Sequence, residues 1–116
     1  MDDHFETQLE AGRDQLAYRR ESGDRLDVPR PIEHFAYFPR RAQAVQAAAA
    51  LEDAGYDTTL ARWRVFGATL EAVRPSRLDE ETVEAFMREV HQIVVANGGD
   101  YDGWSGDVVV DSADGG

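Results

Sequence analysis

The sequence contains no cysteine and no lysine, and all twelve of its basic residues are arginine. Lack of cysteine excludes disulfides, thiolate metal sites and thiol nucleophiles, and it fits a reducing compartment. Lack of lysine excludes Schiff-base chemistry. Long apolar runs are missing too: nothing approaches the roughly 20 residues that a membrane span requires. The first residues, Met1-Asp2-Asp3-His4, are acidic where a secretory signal would be basic. These absences together predict a cytoplasmic protein with no membrane association. Positive charge is scarce, with 12 arginines against 23 aspartates and glutamates, for a net charge of −11. Such a balance repels phosphate backbones and anionic lipids. It disfavours direct nucleic-acid binding and makes basic protein segments the more natural partners.

Constellations that carry chemistry are also missing. The four serines, Ser22, Ser76, Ser105 and Ser112, fall in turns, caps and tail, with no base to activate them. No glycine-rich loop joins a strand to a helix as a phosphate cradle would. Asp100, Asp102 and Gly103 begin like a calcium loop. The third acidic ligand, however, would fall at Trp104, and no bidentate glutamate follows. His34 and His91 could meet across a sheet–helix layer, but two nitrogens without a carboxylate make a poor metal site. A buried, hydrogen-bonded His34 is the preferred reading, and His4 falls in a mobile terminus. The expectation is a non-enzymatic protein with no catalytic, metal or cofactor site.

What the sequence does contain is organised around Leu78 to Val110. Leu78 precedes Asp79, a good N-cap, and Glu80, Glu81 and Glu84 occupy the first turns, where the helix dipole favours negative charge. Val83, Phe86, Met87, Val90, Ile93 and Val94 then recur at helical spacing, and Gly98-Gly99 ends the run. Tyr101 to Val110 reads as a strand, with Gly103 and Gly106 suggesting a bulge or bend.

Upstream, Asp2 to Glu21 reads as a helix with a thin stripe of Phe5, Leu9 and Leu16. Gly12 weakens it by about 1 kcal/mol. It is either a loosely attached arm or a cover for an exposed sheet face. Ser22 to Pro31 is a loop, with Gly23, Pro29 and Pro31. Ile32 to Phe38 alternates two sets of side chains and reads as a central strand. Pro39 fits the first turn of a helix that continues over Arg40 to Ala54, with Ala44, Val45, Ala48 and Leu51 facing inward. Tyr56 to Val65 and Ala68 to Val73 read as a hairpin around Phe66-Gly67. At 116 residues the chain supports one folded unit. It divides into an N-terminal helical arm (1–22), a main domain (32–110) and a disordered acidic tail (111–116).

The order strand, helix, strand, strand, helix, strand is the split βαβ arrangement of ferredoxin-like folds. The predicted class is therefore α+β: a ferredoxin-like βαββαβ two-layer sandwich. It has a four-stranded antiparallel sheet with two helices on one face, plus an extra N-terminal helix. One sheet face is left bare, with Phe35, Tyr37, Trp63 and Trp104 as candidates to line it. Such a face calls for a partner, a dimer or a lid. The glycine-aromatic signature of RNA-recognition modules is absent.

Ile32-Glu33-His34 opening the first strand, Gly55-Tyr56 closing its helix, and Tyr101-Asp102-Gly103-Trp104 after the second helix resemble the RraB family, whose members inhibit or regulate ribonuclease E. The likeness covers most of the chain, and the Tyr-Asp-Gly-Trp tetrapeptide is its most specific part. One departure is the C-terminal tail, long and strongly acidic in the familiar member and only Asp111 to Gly116 here. The resemblance implies a ferredoxin-like, non-enzymatic protein whose partner is a ribonuclease E-type endoribonuclease. Joined to the charge, it suggests an acidic surface, including Glu80, Glu81 and Glu84, that docks an arginine-rich segment, with Trp104 or Trp63 as aromatic anchors. The competing reading makes Tyr101 and Trp104 core residues. The alternative function is a homodimeric ferredoxin-like module that senses a small molecule or serves protein interaction generally. Monomer and homodimer remain open.

Overall fold

The strand that opens the main domain sets the layers. In the computed structural model, which describes residues 3–110 with side chains from Phe5 onward, β1 (Arg30–Phe38) alternates strictly. Ile32, His34, Ala36 and Phe38 are buried, while Glu33, Phe35 and Tyr37 are half-buried on the opposite face. That period of two is the pleat itself. Around β1 run α1 (Asp3–Glu21), α2 (Arg41–Asp53), β2 (Asp57–Trp63), β3 (Gly67–Ser76), α3 (Glu80–Ala96) and β4 (Asp100–Gly106). The sheet order is β2-β3-β1-β4, and every neighbouring pair is antiparallel. This is the α+β two-layer architecture expected from the element order.

The helices pack on one face. α3 presents Val83, Phe86, Met87, Val90, His91 and Val94 as its buried stripe. Asp79 caps it, accepting the Thr82 amide at 3.1 Å. α2 buries three alanines, Ala44, Ala47 and Ala48, with Leu51, and their small side chains permit close approach to the sheet. Val45, expected inward, is 47% exposed because it lies off that stripe. Pro39 stays outside the helix, which begins at Arg41 after Arg40 as N-cap.

α1 joins this helical layer, not the open sheet face. It lies along α3 and over the covered side of β4, burying Phe5, Leu9 and Leu16. Gly12, a weak point by propensity, is where the helices cross. A Cβ there would sit 3.0 Å from the Met87 sulfur and 3.9 Å from the Trp104 indole nitrogen. The far end of α1 is clamped by a buried ion cluster. Arg19 donates to Asp24 at 2.9 Å and Arg30 donates to the other carboxylate oxygen. Both arginines also donate to the carbonyl of Asp107, just past β4, and Arg19 donates to that of Gly106 at its end. Burial alone would raise the Asp24 carboxyl, but the hydrogen bonds from Arg30, Arg19 and the Val109 amide together hold it below the usual carboxylate range. The loop between α1 and β1 is therefore anchored from within.

β4 ends at Gly106, short of the Val110 expected from composition. Gly106 pairs with Ile32 near the start of β1, so there is little strand left to pair with. Beyond it, among the described residues, an isolated bridge joins Asp24 and Val110. The acidic tail, 111–116, lies outside the described residues, as does the side chain of His4.

Candidate functional site

The Tyr-Asp-Gly-Trp tetrapeptide is held by a kink in β4. Two neighbours on β1, Phe35 and Ala36, pair with Gly103 and Tyr101, so Asp102 is an extra residue in the ladder. Gly103 takes φ +114°, a conformation that side chains disfavour. In an unkinked strand, residues three apart face opposite ways. Here the extra residue restores the phase, and both Tyr101 and Trp104 point into the covered core, 2% and 8% exposed. Trp104, a candidate for the open face, therefore lies under the helices. Its ring meets Phe86 edge-on with centroids 5.4 Å apart, and the Arg19 guanidinium sits 5.6 Å above it.

Tyr101 closes the middle of the core. Its hydroxyl lies 2.8 Å from Nδ1 of His34, and Gln8 of α1 donates to its carbonyl at 2.6 Å. Burial holds the His34 pKa down to about 3, with the Arg74 charge as a smaller contribution, so the ring is neutral at physiological pH. Burial likewise pushes the Tyr101 phenol above its ordinary value. His91 lies against the Phe5 ring, 4.5 Å between centroids. Among the described residues no group of three histidine, cysteine, aspartate or glutamate side chains could hold a metal ion. Nor, among them, is any helix long and apolar enough to cross a membrane.

The open face is different in kind. Trp63 is half-buried there, 5.2 Å from the Tyr37 ring, with the Arg64 guanidinium 4.8 Å above the indole. Tyr37 donates a long hydrogen bond, 3.5 Å, to Asp102. The turn beyond Trp63 projects Val65 and Phe66, 73% and 72% exposed. Glu33 and Glu71 meet on the same face through their carboxyl groups. Burial and the neighbouring carboxylate raise the Glu71 pKa.

Glu80 and Glu81 are exposed at the start of α3, one turn before the half-buried Glu84. Glu80 and Glu84 have arginine neighbours. Arg13 of α1 approaches Glu80 at 3.8 Å and Glu84 at 3.3 Å, and Arg88 reaches Glu84 at 3.1 Å. The structure thus separates the residues singled out from sequence. Trp104 is core, Trp63 is on the open face, and the glutamates are on the helical layer.

Residues 9–105 match the family described as RraB, regulator of ribonuclease activity B. The chain belongs to the RraB family. It is therefore a regulator of ribonuclease activity. No curated protein matches the chain. The matched span starts within α1 and ends within β4, so it includes the residues that hold α1 on Met87 and Trp104. The RraB-like tetrapeptide is explained here by folding: it supplies the kink and two core aromatics. Sequence reasoning missed the exposed Val65-Phe66 tip and the Glu33–Glu71 pair. Parity held the signal for the second, since Glu33 shares a face with Phe35 and Tyr37, and Glu71 with Thr69 and Val73.

Proposed function

We propose that the chain is a non-catalytic cytoplasmic regulator that docks on a ribonuclease E-type endoribonuclease and thereby changes RNA turnover. The match to the ribonuclease-regulator family over residues 9–105 carries this reading. A net charge of −11 supports it, because an acidic regulator is drawn to basic segments of an RNA-processing enzyme and repelled by the RNA itself. A cysteine-free sequence suits the reducing cytoplasm. Regulation then proceeds through protein contact: the bound regulator alters the enzyme's access to RNA or to its other partners. Calorimetry against the full-length host enzyme, repeated with its catalytic half alone, tests the reading. Micromolar or tighter binding to the whole enzyme, with slower cleavage of an RNA substrate, is the expected result. Absence of binding to either form rejects the partner.

A further inference from the structure

The open face of the sheet carries two adjoining depressions that share Tyr37. One, of about 370 Å³, is lined by Phe35, Thr59, Thr69 and Glu71. The other, of about 400 Å³, runs past Trp63 to Val65, Phe66 and Asp100. Together they make a groove with an aromatic floor that ends at the two most exposed large apolar side chains among the described residues. A contiguous apolar strip of this kind marks a contact surface.

Charge says what fits it. Glu71 and Asp100 line the groove, Glu33 lies beside Glu71 and Asp102 accepts from Tyr37, and among the described residues none of these four forms an ion pair. Glu33 and Glu71 instead are diagonal neighbours across β1 and β3, where a cation between them would be attracted by both carboxylates. The acidic turns of α3 are the contrast, since Arg13 and Arg88 already answer Glu80 and Glu84 within the chain. Arg64 lines the second depression and already covers the Trp63 ring, so that indole is answered within the chain and the carboxylates are the seats left for an incoming guanidinium. An RNA strand would meet unpaired carboxylates. A second copy docking through the same face would bring that acidic rim onto itself.

Resting on the proposed ribonuclease partner, we infer that this open-face groove, from Glu33 and Glu71 across Tyr37 and Trp63 to Phe66, is where an extended arginine-bearing segment of that enzyme docks. Arginines sit at the carboxylates that lack ion-pair partners, while apolar neighbours pack on Tyr37 and cover Phe66 and Val65. The helical layer stays outside the contact.

The test is calorimetry with the full-length host ribonuclease E-type enzyme and four forms of the regulator, with melting temperatures confirming that each is folded. Phe66→Ser is expected to weaken binding about tenfold, as loss of an aromatic anchor does. Glu33→Gln with Glu71→Gln is expected to weaken it roughly threefold or more and to flatten its salt dependence. Glu80→Gln with Glu84→Gln is the rival arm. Weakening there, with both open-face variants binding like the parent, moves the site to the helical layer and overturns the inference while the ribonuclease reading stands. If the parent binds nothing, reading and groove fall together. If Phe66→Ser abolishes a dimer seen by sedimentation, or tighter binding to single-stranded RNA than to the enzyme is measured, the groove serves another occupant and the inference is rejected.

Discussion

Tyr37 and Phe38 are adjacent aromatics on one strand, yet they belong to different environments. Phe38 is completely buried under the helices. Tyr37 lies on the open face among Trp63, Asp102 and the groove. The covered face holds apolar and aromatic side chains locked against helices, and most of its polar groups are partnered: His34 with Tyr101, Tyr56 with Glu89, Asp24 with two arginines, Gln8 Oε1 being the exception among the described residues. The open face holds half-exposed rings and carboxylates without ion-pair partners among the described residues. The difference separates what folds the chain from what is left over to bind. Stability should reside in one face of β1 and recognition in the other.

The sharpest way to break that contrast is to truncate both neighbours. Phe38→Ala should cost about 3–5 kcal/mol in urea unfolding, the usual loss for a buried phenylalanine. Tyr37→Ala should cost under about 1.5 kcal/mol, and equal losses would abolish the distinction. The tryptophans make the same comparison from the far strands, since Trp104→Ala should lower the melting temperature far more than Trp63→Ala. Next in size is a backbone effect. Gly103→Ala forces a side chain into the φ +114° kink and should cost about 1–3 kcal/mol by denaturation, although no atom lies close enough to clash.

A pH experiment sharpens the comparison without removing core atoms. His34 is held neutral with its pKa lowered to about 3, whereas in the unfolded chain it titrates near its ordinary 6.5. Between those values the unfolded state binds the extra proton, so stability should fall as pH drops below about 6.5, by up to about 1.4 kcal/mol per pH unit. His34→Gln, which keeps a hydrogen-bonding group near Tyr101, should flatten this slope between pH 6.5 and 5. An unchanged slope would show that the ring is not kept neutral. The smallest effect belongs to the surface. Glu80→Gln removes an exposed pair with Arg13 at 3.8 Å, and its unfolding free energy should shift by less than about 1 kcal/mol.

Much of the fold was legible because its periodicities are local. Asp79 as cap, the Val83-to-Val94 stripe, the alanine-rich α2 and the alternation of β1 each announce themselves within one element. Errors arose wherever a second element decided the outcome. Trp104 could not be assigned to a face, because one extra residue at Asp102 reverses parity and only pairing with Phe35 and Ala36 reveals it. Gly12 read as a flaw in α1 because its crossing partner, Met87, lies 75 residues away in sequence. The arginine beside the acidic start of α3 was equally hidden, because Arg13 and Glu80 lie 67 residues apart in sequence.

The sequence by itself determined the element order, the two-layer class, the acidic character and the resemblance to the ribonuclease regulators. These follow from composition, short-range spacing and a tetrapeptide that the chain carries intact. Tertiary structure alone decided which carboxylates are answered, where α1 docks, and which aromatics face solvent. Those depend on distances between residues far apart in the chain, and an alternation pattern cannot report a kink that pairing with another strand creates.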